Sequence, residues 1–109
     1  MEYIYLIKNN VTNRRYVGRT SSPSKRFKQH FTALVGKRHP NELMQYDFER
    51  FGIDSFETEI LEVSDNFTRT SAEGKWMLEF KTYDTNYGYN YKDPFVLSRH
   101  GFKTKNVMY

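Results

Sequence analysis

The chain has 109 residues, enough for one compact domain and too few for a second independent core. Hydrophobic residues make up 38% of it, with nine Tyr, nine Phe and one Trp to bury, and the absence of Cys excludes a disulfide framework, a thiolate metal site and a cysteine nucleophile. The net charge of +4 is unevenly spread: residues 1–50 carry ten Lys/Arg against four Asp/Glu, residues 51–109 seven against nine, and no carboxylate stands between Glu2 and Glu42, so the basic half would attract phosphate.

The N-terminus, Met1-Glu2-Tyr3-Ile4-Tyr5, has neither the basic lead nor the apolar run of a signal peptide. No stretch approaches the roughly 18 apolar residues of a membrane span, so an intracellular protein without a membrane partner is expected. Residues 2–7 are β-branched or aromatic, Asn9 to Asn13 is a dense turn signal, and Arg15-Tyr16-Val17 resumes an extended pattern; together they predict a β-hairpin. Ser22-Pro23 then offers a hydroxyl cap with Pro at the first helical position. Phe27, Phe31 and Leu34 recur as the buried stripe of a helix ending near Gly36. A second helix is expected from His39-Pro40, with Met44, Phe48 and Phe51 on one face and Gly52 as its stop. Phe56 to Val63 reads as a third strand of imperfect alternation, Glu57 and Glu59 lying beside Leu61 and Phe56, Thr58 and Ile60 facing the other way. A third helix is expected over roughly 67–81, with Ala72, Trp76 and Phe80 as its core face. Tyr83 to Asn90 is polar and turn-prone, and a tail from Asp93-Pro94 should pack back through Phe95, Val96, Leu97 and Phe102.

The order strand, strand, helix, helix, strand, helix, with Tyr3-Ile4-Tyr5 in the first strand and Tyr16-Val17-Gly18 in the second, resembles the GIY-YIG nuclease family. Val replaces the second motif's Ile, and Tyr3 stands where the first has Gly. Arg26 and His30 on the first helix, His39 before the second, Glu73 three residues before Trp76, and Gly88-Tyr89-Asn90 continue the resemblance in order. It covers about residues 3–91 and is similar to the catalytic domains of phage homing endonucleases. The resemblance implies an α+β fold, a small three-stranded, mostly antiparallel sheet flanked by helices in the order ββααβα. A nuclease domain at 1–91 would be followed by a tail at 92–109.

The residues can also be asked what they offer a phosphodiester. Arg26 and His30 are four apart on a helix and share a face. Arg presents a planar fork to charge building on phosphorus, and His exchanges protons near neutrality. Tyr5 and Tyr16 are expected at the edge of the strand pair, facing the helix. A phenol ionises near pH 10, so use as a base needs positive neighbours or a metal, and which of the two moves the proton stays open. Gly18 fits either a close backbone approach or a positive φ, with phosphate access as a consequence.

With no Cys, a metal must be held by oxygen or imidazole. Since no carboxylate lies between Glu2 and Glu42, a site on the hairpin and first helix must borrow its acid from later in the chain. Glu73 is thus the metal candidate by elimination and by resemblance, although Thr70-Ser71-Ala72-Glu73 is also a capping-box pattern. One carboxylate with waters and phosphate oxygens suits Mg²⁺ or Mn²⁺. Arg19 and Lys25, from the carboxylate-free run, are expected at the substrate. Asn90 would hold a loop or contact phosphate, and His39 would cap a helix or make a DNA or active-site contact; His100 reads as surface.

The expectation is therefore a Mg²⁺-dependent DNA endonuclease of phage or mobile-element homing type. Tyr5, Tyr16, Arg26, His30 and Glu73 would be catalytic, and Gly18, Arg19, Lys25, His39 and Asn90 substrate-binding. A structure-specific repair nuclease and a non-catalytic nucleic-acid-binding module are the alternatives. One site cuts one strand, which leaves a homodimer, a second binding event or a rotated encounter open for double-strand cleavage, and a separate partner could supply targeting.

Overall fold

A computed structural model describes residues 1–65 and 71–90. The expected packing of the tail, the position of His100 and the first residues of the third expected helix lie outside them. The elements run β1 (Glu2–Asn9), β2 (Arg15–Thr20), α1 (Pro23–Val35), α2 (Glu42–Phe51), a 3-10 turn (Ile53–Ser55), β3 (Phe56–Ser64) and α3 (Ser71–Phe80). The strands form one antiparallel sheet in the order β2-β1-β3, so the chain adopts the expected α+β class.

The central strand β1 is buried from Ile4 through Ile7. Its alternation sends Tyr5 and Ile7 to one face, where they meet Leu34, Met44, Phe56 and Tyr89 beneath α1 and α2. Ile4 and Leu6 go to the other, where they meet Val17 and Met77 beneath α3. Coverage of both faces is why β1 reads as a continuous apolar run. Between Ile4 and Tyr5 the register with β3 slips: Ile4 faces Glu62 and Tyr5 faces Ile60, leaving Leu61 as the extra residue of a β-bulge. That bulge is the cause of the imperfect alternation. Leu61 packs into the second core, and Glu62 accepts the Trp76 indole N–H at 2.7 Å.

The hairpin turn is wound around Asn9, whose Oδ1 accepts from the N–H groups of Val11 at 2.8 Å and Thr12 at 3.3 Å. The helix starts differ from the sequence reading. Pro23 opens α1 as expected, but Ser22 contributes its carbonyl, to the Arg26 N–H at 2.9 Å, and no side-chain cap. Helix α2 begins two residues beyond Pro40, because Asn41 is the cap and accepts the Met44 N–H at 3.0 Å. Its inward face carries Met44 and Asp47, while Phe51 sits under the Arg50 guanidinium at 5.1 Å. Gly52, at φ 83, ends the helix with its N–H on the Phe48 carbonyl.

The polar segment after α3 closes the molecule around a buried carboxylate. Asp47 Oδ2 accepts from the Tyr89 hydroxyl and from Arg14 Nη1, each at 2.8 Å, and Arg14 Nε donates to the Thr85 carbonyl at 2.7 Å. Asp47 and Tyr89 are both fully buried, so this ion pair ties the hairpin, α2 and the segment 82–90 together. The same segment covers the edge of β2, where the Arg15 N–H donates to the Tyr87 carbonyl and the Tyr89 N–H to the Arg15 carbonyl. Among the described residues no helix is long and apolar enough to cross a membrane.

Candidate active site

A cleft of about 520 Å³ opens beside β2, with α1 and the start of α2 on one side and α3 on the other. Tyr16, Arg26, His30, His39, Glu73 and Asn90 all line it, so six residues scattered through the sequence meet there. Tyr5 lies directly beneath. It sits on the central strand and not at the sheet edge as expected, and only 1% of it is exposed. Its ring packs edge-on against Phe27 and lies within 6.2 Å of Tyr16 and 5.7 Å of His30, centroid to centroid.

The helical spacing of Arg26 and His30 does what the sequence implied, though their meeting point in the free protein is the Tyr5 hydroxyl. His30 Nε2 lies 2.8 Å from that oxygen, and Arg26 Nε donates to it at 3.5 Å. Arg26 also reaches Gln29 Oε1 at 3.2 Å, which leaves most of its five N–H donors for an anion in the cleft. His30 Nδ1 lies 2.8 Å from His39 Nε2, and His39 Nδ1 accepts the backbone N–H of Asn41 at 3.0 Å. His39 thus caps no helix, and its ring contacts His30 within the cleft.

Gly18 is opposite Tyr5 in the hairpin, and a Cβ there would lie 2.4 Å from the Tyr5 Cζ and hydroxyl oxygen. Close approach is the reason for this glycine, and the tyrosine ring is what approaches. Asn90 spends its amide on β2, accepting from the Val17 N–H at 2.9 Å and donating to the Val17 carbonyl at 3.0 Å. Of its two readings, loop holding is the one its bonds match. Arg19 lies near Glu2, with 3.9 Å between Nε and Oε1. Lys25 faces a neighbouring groove with Lys28 and Arg38, and Gln29 and Ala33 line both hollows.

Burial pushes the Tyr5 phenol up, with the Arg26 guanidinium pulling against it, and burial beside Tyr5 and Glu73 pushes Tyr16 up as well. Neither is a ready phenolate. Burial, then His39 and Arg26, lowers His30 to about 4, and burial with Arg26 lowers His39. His30 is therefore a neutral group at pH 7 and not the near-neutral proton exchanger expected from its ordinary pKa. Burial raises Glu73, and Arg19 opposes the rise.

The donor set has a definite chemical character. Among the described residues no group of three or more His, Asp or Glu gathers to hold a metal. Both nitrogens of both cleft histidines are engaged, so imidazole ligation would break their bonds. Glu73 is left as the carboxylate lining the cleft. One carboxylate, with water and phosphate oxygens, fits a hard, oxygen-ligated cation such as Mg²⁺. Asn41 and Gln45, which hold His39, went unread as site residues in the sequence. The first carried a signal as a good N-cap type, the second none.

A family model described as the GIY-YIG catalytic domain matches residues 1–90. Two solved structures are similar. The catalytic domain of the homing endonuclease I-TevI is 33% identical, with a TM-score of 0.75, covering 85% of this chain and 100% of that one. A mutant of the catalytic domain of intron endonuclease I-TevI is also 33% identical, with a TM-score of 0.74, covering 85% of this chain and 96% of that one. No curated protein matches.

Proposed function

This chain belongs to the GIY-YIG nuclease family, and on that premise we propose that it is a divalent-metal-dependent endonuclease hydrolysing DNA phosphodiesters, of homing type and acting inside the cell. The observation that carries the reading is the convergence of Arg26 and His30 on the Tyr5 hydroxyl in the same cleft as Tyr16 and Glu73.

Tyr5 holds the attacking water and takes its proton. That requires the phenol first to pass its own proton to solvent water in the cleft, since His30 and Arg26 only donate to it, and those two N–H donors favour the phenolate left behind. The Tyr16 hydroxyl supports this network from the edge strand. The remaining Arg26 N–H groups bind nonbridging phosphate oxygens and stabilise the charge gathered there in flight. Glu73 would hold the Mg²⁺ or Mn²⁺, which when bound polarises the phosphate and offsets charge on the leaving oxygen. Arg19 at the end of β2, and Lys25 and Lys28 on α1 with Arg38 just beyond its end, bind the flanking backbone of the DNA. Gly18 and Asn90 serve the substrate indirectly, by seating Tyr5 and the loop after α3.

One such cleft cuts one strand, so cleavage of both strands draws on a second copy of the chain or on a targeting partner. Incubation of supercoiled plasmid with Mg²⁺ or Mn²⁺ tests the reading. The wild type should nick it and Arg26→Ala and Glu73→Ala should not. A wild type that nicks nothing, or two variants that cut as well as it does, would sink the proposal, and binding without cutting would mark a non-catalytic module.

A further inference from the structure

The two histidines of the cleft admit one arrangement of protons. The Asn41 backbone N–H is a donor and lies 3.0 Å from His39 Nδ1, so that nitrogen carries no hydrogen. An imidazole keeps at least one N–H, which places His39's on Nε2, 2.8 Å from His30 Nδ1. His30 Nδ1 must then accept, and the His30 proton sits on Nε2, 2.8 Å from the Tyr5 oxygen. The reverse arrangement, Tyr5 donating to His30 and His30 to His39, would strip His39 of both protons. A second proton on either ring would set two N–H groups against each other, at the His30–His39 contact or at the Asn41 amide.

We infer that His39 is a positioning residue that works through His30: anchored by the Asn41 amide, it fixes His30 as a standing donor to Tyr5 and so aims the tyrosine's own proton away from the histidines. The anchoring is built into the fold. The His39 N–H donates to Gln45 Oε1 at 3.0 Å, and Gln45 Nε2 donates to the Leu34 carbonyl at 3.0 Å, joining the ring's backbone to the end of α1. The Asn41 side chain caps α2 and also donates to the Tyr89 carbonyl, which holds its amide in place. The two ring centroids lie 5.0 Å apart with the planes 18° from parallel, the edge-to-edge arrangement that an in-plane N–H···N bond between them needs. With donors from His30 and Arg26 on its oxygen, the Tyr5 hydroxyl keeps its hydrogen for Tyr16, for water or for substrate. His39 would thus act without touching DNA.

The catalytic side of this inference rests on the nuclease reading, whereas the proton arrangement does not, and the experiment separates them. Ring-¹⁵N-labelled free protein examined by NMR at pH 7.5 should show both His30 and His39 neutral with hydrogen on Nε2. His39→Ala removes the donor to His30 Nδ1, so hydrogen should appear on His30 Nδ1 and DNA cleavage should fall at least about tenfold, the worth of one hydrogen bond of about 1.4 kcal/mol. His39→Gln, whose amide can donate at the same place, should restore the Nε2–H form of His30 and most of the rate. A wild-type His30 with hydrogen on Nδ1 overturns the inference, and so does an Ala variant whose His30 tautomer and cleavage are unchanged. A protein with both Nε2–H rings that cuts no DNA upholds the proton arrangement and refutes the nuclease reading instead.

Discussion

Gly18→Ala is a small change with a large expected effect. The added methyl would stand 2.4 Å from the Cζ and hydroxyl oxygen of Tyr5 and 2.7 Å from Cε2. The Tyr5 ring cannot swing aside freely, since Phe27 is edge-on to it at 5.3 Å and its hydroxyl is 2.8 Å from His30. Overpacking of this kind costs about 1–3 kcal/mol. Loss of the hydrogen bond at a buried hydroxyl adds about 1 kcal/mol, for a total of about 2–4 kcal/mol. In a domain of this size that lowers the melting temperature by roughly 10–20 °C. Displacement of the Tyr5 oxygen by even an ångström should also cut the cleavage rate about a hundredfold. Thermal melts followed by circular dichroism read the first effect and single-turnover cleavage the second. The cost should shrink by at least about 1 kcal/mol in a Tyr5→Leu background, where no ring tip meets the methyl. A Gly18→Ala protein melting within about 3 °C of wild type, or paying the same cost in both backgrounds, would refute the steric argument.

Asp47→Ala strands a half-buried guanidinium and a buried phenol, and should cost about 2–4 kcal/mol in urea unfolding, whereas a loss under about 1 kcal/mol would show that the ion pair contributes little. Stability should depend on pH through His30, whose pKa falls from 6.5 unfolded to about 4 folded. The unfolded chain binds the extra proton in that window, so the contribution is whole above pH 6.5 and lost as pH falls toward 4, by up to roughly 3 kcal/mol. Unfolding free energies of wild type minus His30→Gln across this range should trace that loss, and a flat difference contradicts it. For DNA binding, measured in a Glu73→Ala background, Lys28→Gln and Arg38→Gln should each reduce the slope of log K against log salt by about 1. Unchanged slopes would place the DNA elsewhere than along α1.

Most of the fold was legible because its punctuation is local. Asn9 to Asn13, Ser22-Pro23 and Gly52 mark turns and helix ends through their own backbone preferences, and among the described residues the elements fall near those marks, with α2 starting after its Asn41 cap and not at His39-Pro40. What escaped was non-local. Asp47 reads as a surface charge on α2 until Arg14 and Tyr89, far away in the chain, are seen on one of its oxygens. Tyr89 lies in a stretch polar enough to pass for a solvent-exposed turn, yet it is wholly buried. At the site, spacing on one helix was enough to pair Arg26 with His30. The proton state of His30 depends on His39 and on a backbone amide beyond it, and residue types alone do not encode a tautomer. Gly18 shows the same limit, because a close approach and a positive φ predict the same residue.

The central claim is that Arg26 and Glu73 act on one phosphodiester in one cleft. Single-turnover cleavage of a labelled duplex by Arg26→Ala, Glu73→Ala and the double variant tests it directly. Each single change should slow cleavage by about 10²–10³. Side chains serving the same transition state are strongly non-additive, so the double variant should fall within about tenfold of the slower single. Losses that multiply, or a single variant that cuts at the wild-type rate, would contradict the account.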